Sequence, residues 1–252
     1  MPNNMKLEVE DIAFRYDGTE PLLNGLSFGV ETGEFVSILG PSGCGKSTVL
    51  NLLAGILTPD SGIMRVDGAP FTGMSSHFAY MPQNDLLFPW KTILQNVCLH
   101  GRLHGTEKAA QARARELFPL FGLAGYEDAW PSDLSGGMRQ RAAFLRTALC
   151  DADILLLDEP FGALDVISRG DMQDWLVSMK QHLGCTCLLV THDIDEAIFL
   201  SDRILVLGGR PADIRSEYRV VEDHRTRDWL YSQGELRHRL HDSIRGLEAK
   251  PC

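Results

Sequence analysis

The chain has 252 residues, of which 44% are hydrophobic and 23% charged, and a formal net charge of -10. This is the composition of an ordinary globular protein with one large domain, or a domain plus a subdomain, and its acidic balance argues against a nucleic-acid binder, which usually carries a basic footprint. No run approaches the roughly 18 apolar residues of a membrane span, and the opening M-P-N-N-M-K-L-E-V-E lacks an apolar signal region. Six cysteines, at 44, 98, 150, 185, 187 and 252, form no C-x-x-C metal pair and read as reduced core thiols.

In chain order, K-L-E-V-E-D-I-A-F-R-Y alternates in places and runs into the turn signal D-G. L-S-F-G-V-E-T-G-E-F-V-S-I-L-G continues as strand, turn, strand. A glycine-rich loop follows, then T-V-L-N-L-L-A-G, a helical pattern stopped by glycine. I-M-R-V-D-G and H-F-A-Y-M read as short strands. From about residue 93 to 150 the period turns helical in I-L-Q-N-V-C-L, A-R-A-R-E-L-F-P-L-F and M-R-Q-R-A-A-F-L-R-T-A-L. Then come a strand at D-I-L-L-L-D, a helix near 167–183, a strand at C-L-L-V-T, a helix at D-E-A-I-F-L and a strand at R-I-L-V-L. Alternating strands and helices predict an α/β fold with a parallel sheet covered on both faces. The expected division is a main domain over residues 1–222, with a helical insert at about 84–152, and a short helical tail over 223–252. The tail is arginine-rich but balanced, with ten Lys and Arg against nine Asp and Glu in residues 201–252.

Gly40, Pro41, Ser42, Gly43, Cys44, Gly45, Lys46, Ser47 and Thr48 spell G-x-x-x-x-G-K-[ST] between an apolar strand and a helix. Such a loop turns backbone N–H groups inward around phosphate, and the helix N-terminus adds a favourable dipole. Lys46 is placed to reach the β- and γ-phosphates, and the Ser47 hydroxyl to bind Mg²⁺. The strand I-L-L-L-D ends in Asp158, a second carboxylate for the metal, and Glu159 follows as a candidate base that orients water. D-L-S-G-G-M-R-Q-R, residues 133–141, sets Ser135 before Gly136 and Gly137 at a helix start, a second anion site. One nucleotide does not need both, so the second is expected to face another subunit.

With these motifs the chain resembles the nucleotide-binding subunits of ATP-binding cassette (ABC) transporters. Residues 40–48 match Walker A, 154–159 match Walker B, and 134–138 match the signature motif. Gln83 in Y-M-P-Q matches the Q-loop, Asp165 in G-A-L-D the D-loop, His192 in L-V-T-H-D the switch histidine, and Tyr16 the aromatic that stacks on adenine. The order and spacing fit from about residue 6 to 215. Met138 departs from the usual glutamine of L-S-G-G-Q, which removes the side-chain amide but leaves the serine and glycine amides. L-S-G-G-M-R-Q-R and Y-M-P-Q-N-D-L-L-F-P-W-K-T resemble in particular the importers of nitrate, sulfonate, taurine and bicarbonate, with those of thiamine-precursor pyrimidines.

The resemblance implies a P-loop ATPase with a mixed core sheet, an N-terminal antiparallel β subdomain and an inserted helical subdomain. It also implies two copies, or two closely related ATPase subunits, closing head to tail around two Mg·ATP, with Gln83 also near the metal. Closure would drive a membrane permease served by a substrate-binding protein, with this chain peripheral on the cytoplasmic face. The alternatives are the ATPase of an exporter or lipid-extraction system, a nucleic-acid-associated ABC ATPase, or a catalytically silent regulator. D-L-L-F-P-W-K-T, residues 85–92, holds bulky apolar groups around a proline that argues for a loop. Leu86, Leu87, Phe88 and Trp90 are therefore expected to meet the permease, with core anchoring as the rival reading for the two leucines.

Overall fold

The computed structural model describes residues 4–248 apart from 223. The strands are β1 (Met5–Phe14), β2 (Leu23–Glu31), β3 (Phe35–Leu39), β4 (Ser61–Val66), β5 (Ala69–Pro70), β6 (Phe78–Met81), β7 (Ile154–Asp158), β8 (Thr186–Thr191), β9 (Arg203–Gly209) and β10 (Ala212–Arg219). The helices are α1 (Lys46–Leu53), α2 (Ile93–Val97), α3 (Leu99–Leu103), α4 (Glu107–Leu117), α5 (Gly136–Ala148), α6 (Val166–Leu183), α7 (Ile194–Leu200), α8 (Arg227–Ser232) and α9 (Gly234–Glu248).

All ten strands form one sheet in the order β5-β4-β1-β2-β10-β9-β3-β8-β7-β6. The stretch from β9 to β6 is parallel, and β1, β2 and β4 pair antiparallel. The fold is a mixed α/β cassette. The two arms meet where β10 pairs with β2 at a single position, Ala212 opposite Leu23. Sequence reading missed β10, because A-D-I-R-S-E-Y-R is polar on its exposed positions and carries little apolar signal.

Strands β3, β7 and β8 are buried along their whole length, as a sheet covered on both faces requires. Alternate side chains divide the core. Phe35, Leu39, Leu155, Leu157 and Leu189 join the cluster under α2 and α5–α7. Val36, Ile38, Leu156, Leu188 and Val190 join the one under α1 and the antiparallel arm. The tail helices are part of this packing, since Leu230 and Leu240 are buried in the first cluster.

Between β6 and β7 the helical pattern is more broken than the period suggests. I-L-Q-N-V-C-L divides into α2 and α3 at Cys98. α4 stops at Leu117, two residues before Pro119, and Phe118 and Phe121 enter the core from the turn beyond. Thr92 and Gln95 form a capping box at the start of α2.

One buried residue holds the loop before α2. The Asn96 amide nitrogen donates to the carbonyls of Phe88, Lys91 and Thr92 at 3.1, 3.1 and 3.0 Å, and its oxygen accepts from the Phe88 N–H at 2.7 Å. Arg146 donates to the carbonyls of Asp85 and Leu86 from the other side. This clamp turns the four apolar side chains differently. Leu87 is 8% exposed and belongs to the core cluster. That corrects the expectation of a permease contact there, because a side chain already packed in the core has no surface to offer. Leu86 is 60% exposed and Trp90 67% exposed, with half-buried Phe88 packed on Trp90 at 5.2 Å between ring centroids.

Replacing Asn96 by Ala leaves several buried backbone groups without partners, at about 1–3 kcal/mol for such a loss. Chemical denaturation should show the unfolding free energy of Asn96→Ala lowered by that amount, and an unchanged free energy would show that water replaces the amide.

Candidate functional site

The site is built by register. Leu39 lies opposite Thr191, and Asp158 opposite Val190, on neighbouring parallel strands. Three strands therefore end at one edge, and the next residues, Gly40, Glu159 and His192, emerge side by side.

The loop after β3 curls tightly. Gly40 packs so close to the Leu207 carbonyl that a Cβ would lie 2.3 Å from its oxygen, and Gly45 sits at φ 105°, a conformation that favours glycine. Pro41, Ser42 and Gly43 form the outer bend, closed by the Cys44 N–H on the Pro41 carbonyl. Burial pushes the Cys44 thiol pKa up, with Lys46 opposing. Lys46 is buried, and its ammonium donates to the carbonyls of Gly40 and Pro41, both at 2.9 Å. The positive charge thus sits inside the curl, beside the N-terminus of α1.

Ser47 Oγ donates to Asp158 Oδ1 at 2.9 Å, and the Tyr80 hydroxyl donates to Asp158 Oδ2 at 2.9 Å. Burial raises the Asp158 pKa above the usual carboxylate value, and Glu159 adds to this, while Ser47, Tyr80 and Lys46 pull it down. Tyr80 is held well above its usual value by burial and by the Asp158 carboxylate. Tyr16, packed edge-on against Phe14, lies 3.1 Å from the Thr48 hydroxyl and keeps an exposed ring beside the loop.

Glu159 leaves β7 at φ 44°, unusual for a residue with a side chain. Its N–H donates to the Val190 carbonyl at 2.9 Å. His192 Nδ1 lies 3.2 Å and Gln83 Nε2 3.5 Å from Glu159 Oε2. The carboxylate therefore points at both candidate sensing groups.

The second anion site lies elsewhere. Ser135 caps α5, accepting from the Met138 N–H at 3.3 Å. The cap uses the backbone of residue 138, so methionine there does not disturb it, and its side chain packs against the core. Gly136 and Gly137 face Leu164 and Ser168. No hydrogen bond or ion pair among the described residues joins Ser135–Gly137 to residues 40–48. Asp165 caps α6 through the Ile167 and Ser168 N–H groups, and contacts with Ser168 lower its pKa.

Several groups at this site carry little sequence signal. Tyr80 touches Asp158 only because β6 pairs with β7 in the register Met81 opposite Leu157. Buried Gln140 donates to the Pro160 carbonyl, linking α5 to the residue after Glu159. Glu196 lies behind the histidine, four residues on. It accepts from the Thr191 hydroxyl at 2.6 Å and from Gln173 at 3.2 Å.

The donor set suits a nucleotide and Mg²⁺. A hydroxyl and a carboxylate at 2.9 Å offer hard oxygens. No group of three or more His, Cys, Asp or Glu among the described residues could hold a metal by itself. That fits an ion that takes its remaining ligands from water and phosphate.

A tightly curled phosphate loop around a buried lysine, a carboxylate at the end of β7 and a histidine just after β8 define a P-loop ATPase of the cassette type. The family described as ABC transporter matches residues 23–162, and the chain belongs to it. Subunits of this kind bind ATP and are ATPases coupled to transport. The formylaminopyrimidine import ATP-binding protein ThiZ of Halalkalibacterium halodurans is 42% identical over 96% of this chain and 95% of its own length. An aliphatic sulfonates import ATP-binding protein, SsuB 2, of Agrobacterium fabrum is 47% identical over 76% of this chain and 72% of its own. The nitrate import ATP-binding protein NrtD of Synechocystis sp. is 40% identical over 86% and 83%. Among solved structures, the dimeric bacterial cassette MJ0796 superposes with TM-score 0.71 at 27% identity, covering 86% of this chain and 99% of its own. The fold also matches cbiO1 of Clostridium perfringens, with TM-score 0.79 at 24% identity over 95% of both chains.

Burial raises the Glu196 pKa from 4.5 to about 7, with Asp193 adding and Thr191, Arg169 and Gln173 opposing. An acid raised in the folded state stabilises the fold fully below its unfolded value, and that contribution is lost as pH rises through about 7. Glu196→Gln should therefore lose less stability than wild type between about pH 5 and about pH 8. Thermal melts across that range are the measurement, and parallel slopes would show that Glu196 stays ionised throughout.

Proposed function

We propose that the chain is the ATP-hydrolysing subunit of an ABC importer, taking up a small solute of the nitrate, sulfonate, taurine, bicarbonate or thiamine-precursor pyrimidine kind through a membrane permease. The observation that carries this reading is the gathering of Lys46, Ser47, Asp158, Glu159, Gln83 and His192 at one sheet edge, with Ser135–Gly137 turned toward Leu164 and Ser168. The relatives, all import ATP-binding proteins, support import as the direction.

On this reading each ATP lies between Lys46 and residues 40–48 of one copy and Ser135–Gly137 of the other. Tyr16 offers its exposed ring to adenine. Ser47 and Asp158, with Gln83 close by, hold Mg²⁺, which supplies charge neutralisation at the phosphates. Glu159 accepts the proton of the attacking water as the water oxygen bonds to the γ-phosphorus and the bond from that phosphorus to the bridging oxygen breaks, releasing ADP and phosphate. His192 keeps the Glu159 carboxylate aimed and contacts the γ-phosphate, and Asp165 orders the D-loop near the second copy. The dimer is formed by identical or closely related subunits. No helix among the described residues is long and apolar enough to cross a membrane, so attachment to the cytoplasmic face runs through the permease. Substrate choice belongs to the permease and a substrate-binding protein, and no nucleic acid is involved.

Replacing Glu159 by Gln keeps the shape and removes the basicity, which typically costs about 10²–10⁴-fold in rate. Glu159→Gln should hydrolyse ATP that much more slowly and accumulate as an ATP-bound dimer in size-exclusion chromatography. Retention of more than about a third of wild-type turnover would rule out the assigned role.

The exposed Leu86 and Trp90, with half-buried Phe88 packed on Trp90, are the proposed permease contact. Aromatic anchors at such interfaces commonly carry about 2 kcal/mol or more, roughly thirtyfold in affinity. Trp90→Ala should weaken co-purification with the permease and uncouple transport, with ATP affinity of the free subunit unchanged. Normal assembly and transport would remove Trp90 from the interface.

A further inference from the structure

His192 is held from behind by its two neighbours in sequence. Thr191 is buried, and its hydroxyl donates to Glu196 Oε2 at 2.6 Å and accepts from the Asp193 N–H at 3.0 Å. Asp193 Oδ1 caps α7, accepting from the N–H groups of Asp195 and Glu196 at 2.8 and 3.1 Å. Asp193 Oδ2 faces Arg169, whose Nη1 lies 3.8 Å away. Arg169 Nε lies 3.9 Å from Glu196 Oε1.

Arg169 starts from the other side of the site. It sits one turn into α6, with its N–H on the Asp165 carbonyl at 2.8 Å, and its Nη2 donates to the Leu164 carbonyl at 3.3 Å. Residues 162–165 are the G-A-L-D loop. A single guanidinium thus touches the backbone of that loop and faces the two acidic groups that set the segment around His192. The connection is loose on the histidine side. Both ion pairs are near 4 Å, and Nε is buried without a hydrogen-bond partner. Charge-assisted bonds of this type settle at about 2.7–2.9 Å, so a movement of about 1 Å would close them.

We propose that Arg169 is a positioning residue that couples the D-loop to the switch histidine. When the D-loop is pressed by a second copy, the guanidinium closes onto Asp193 and Glu196 and fixes His192 against Glu159. This rests on the two-copy reading above, in which the D-loop of each chain faces its partner. It gives that reading a direction: arrival of the second copy is sensed at residues 162–165 and delivered within the same chain to residue 192. An arginine suits the task because one planar fork can serve a carbonyl and two carboxylates together.

The test uses the full chain with Arg169→Gln and Arg169→Lys, each also in the Glu159→Gln background. Coupling residues outside the ligand shell typically shift equilibria by a few-fold to about thirtyfold. Arg169→Gln should lower kcat about tenfold, with KM for ATP and thermal midpoint close to wild type. Arg169→Lys keeps the charge but lacks the planar fork, so its kcat should fall between that of Arg169→Gln and wild type with an unchanged thermal midpoint. The dimer trapped by Glu159→Gln should still form with Arg169→Gln, since neither ATP contact nor signature is touched. A kcat for Arg169→Gln within about twofold of wild type overturns the coupling. An equal loss in the Lys variant with a lowered thermal midpoint also overturns it, and makes Arg169 a structural residue. Failure of Glu159→Gln alone to dimerise identifies a different fault: the shared-site reading falls, and the coupling with it.

Discussion

The parallel register of β3, β8 and β7 is the constraint on which the site depends. It places Leu39 opposite Thr191 and Val190 opposite Asp158, so chain segments far apart in sequence reach the same edge in step. A slip of one residue in any of the three would turn its side chains to the other face of the sheet. The two buried faces prevent such a slip, because each strand splits its apolar residues between two different clusters. Core packing thereby sets the spacing of Lys46, Glu159 and His192 without any of those side chains having to hold the others.

Polar contacts then refine what the register delivers. Ser47 and Tyr80 fix the two oxygens of Asp158 separately, so the carboxylate is held without a cation beside it in the same hydrogen-bond set. Glu159 is turned away by a positive φ and tethered through its N–H to β8. Two adjacent carboxylates therefore face different partners, Ser47 and Tyr80 for Asp158, His192 and Gln83 for Glu159.

Much of this was legible in the sequence. The phosphate loop and the acidic strand end are contiguous motifs whose chemistry depends on local geometry, and Ser135 and Asp165 behave as helix caps because short polar side chains at helix starts do so generally. What remained hidden depends on pairing across the fold. β10 alternates only weakly, with Ala212, Ile214 and Tyr218 between charged residues and Ser216 breaking the apolar face. The separation of Leu86 from Leu87 is decided by Asn96 and Arg146, residues 8–60 positions away from the loop they clamp. Arg169 and Glu196 read singly as ordinary helix charges, and only the packing of α6 against α7 brings them within 3.9 Å of each other behind the histidine segment.

The single pairing between β2 and β10 divides the sheet. Every other neighbouring pair in the sheet shares at least two registered positions, whereas this seam has one, Ala212 opposite Leu23. That position is held by the backbone bond from the Ala212 N–H to the Leu22 carbonyl. Leu22 and Leu23 are also the side chains closest to where a Cβ on Gly45 would lie. The seam with the fewest registered pairs in the sheet thus runs beside the phosphate loop, dividing the antiparallel arm that leads to Tyr16 from the parallel core.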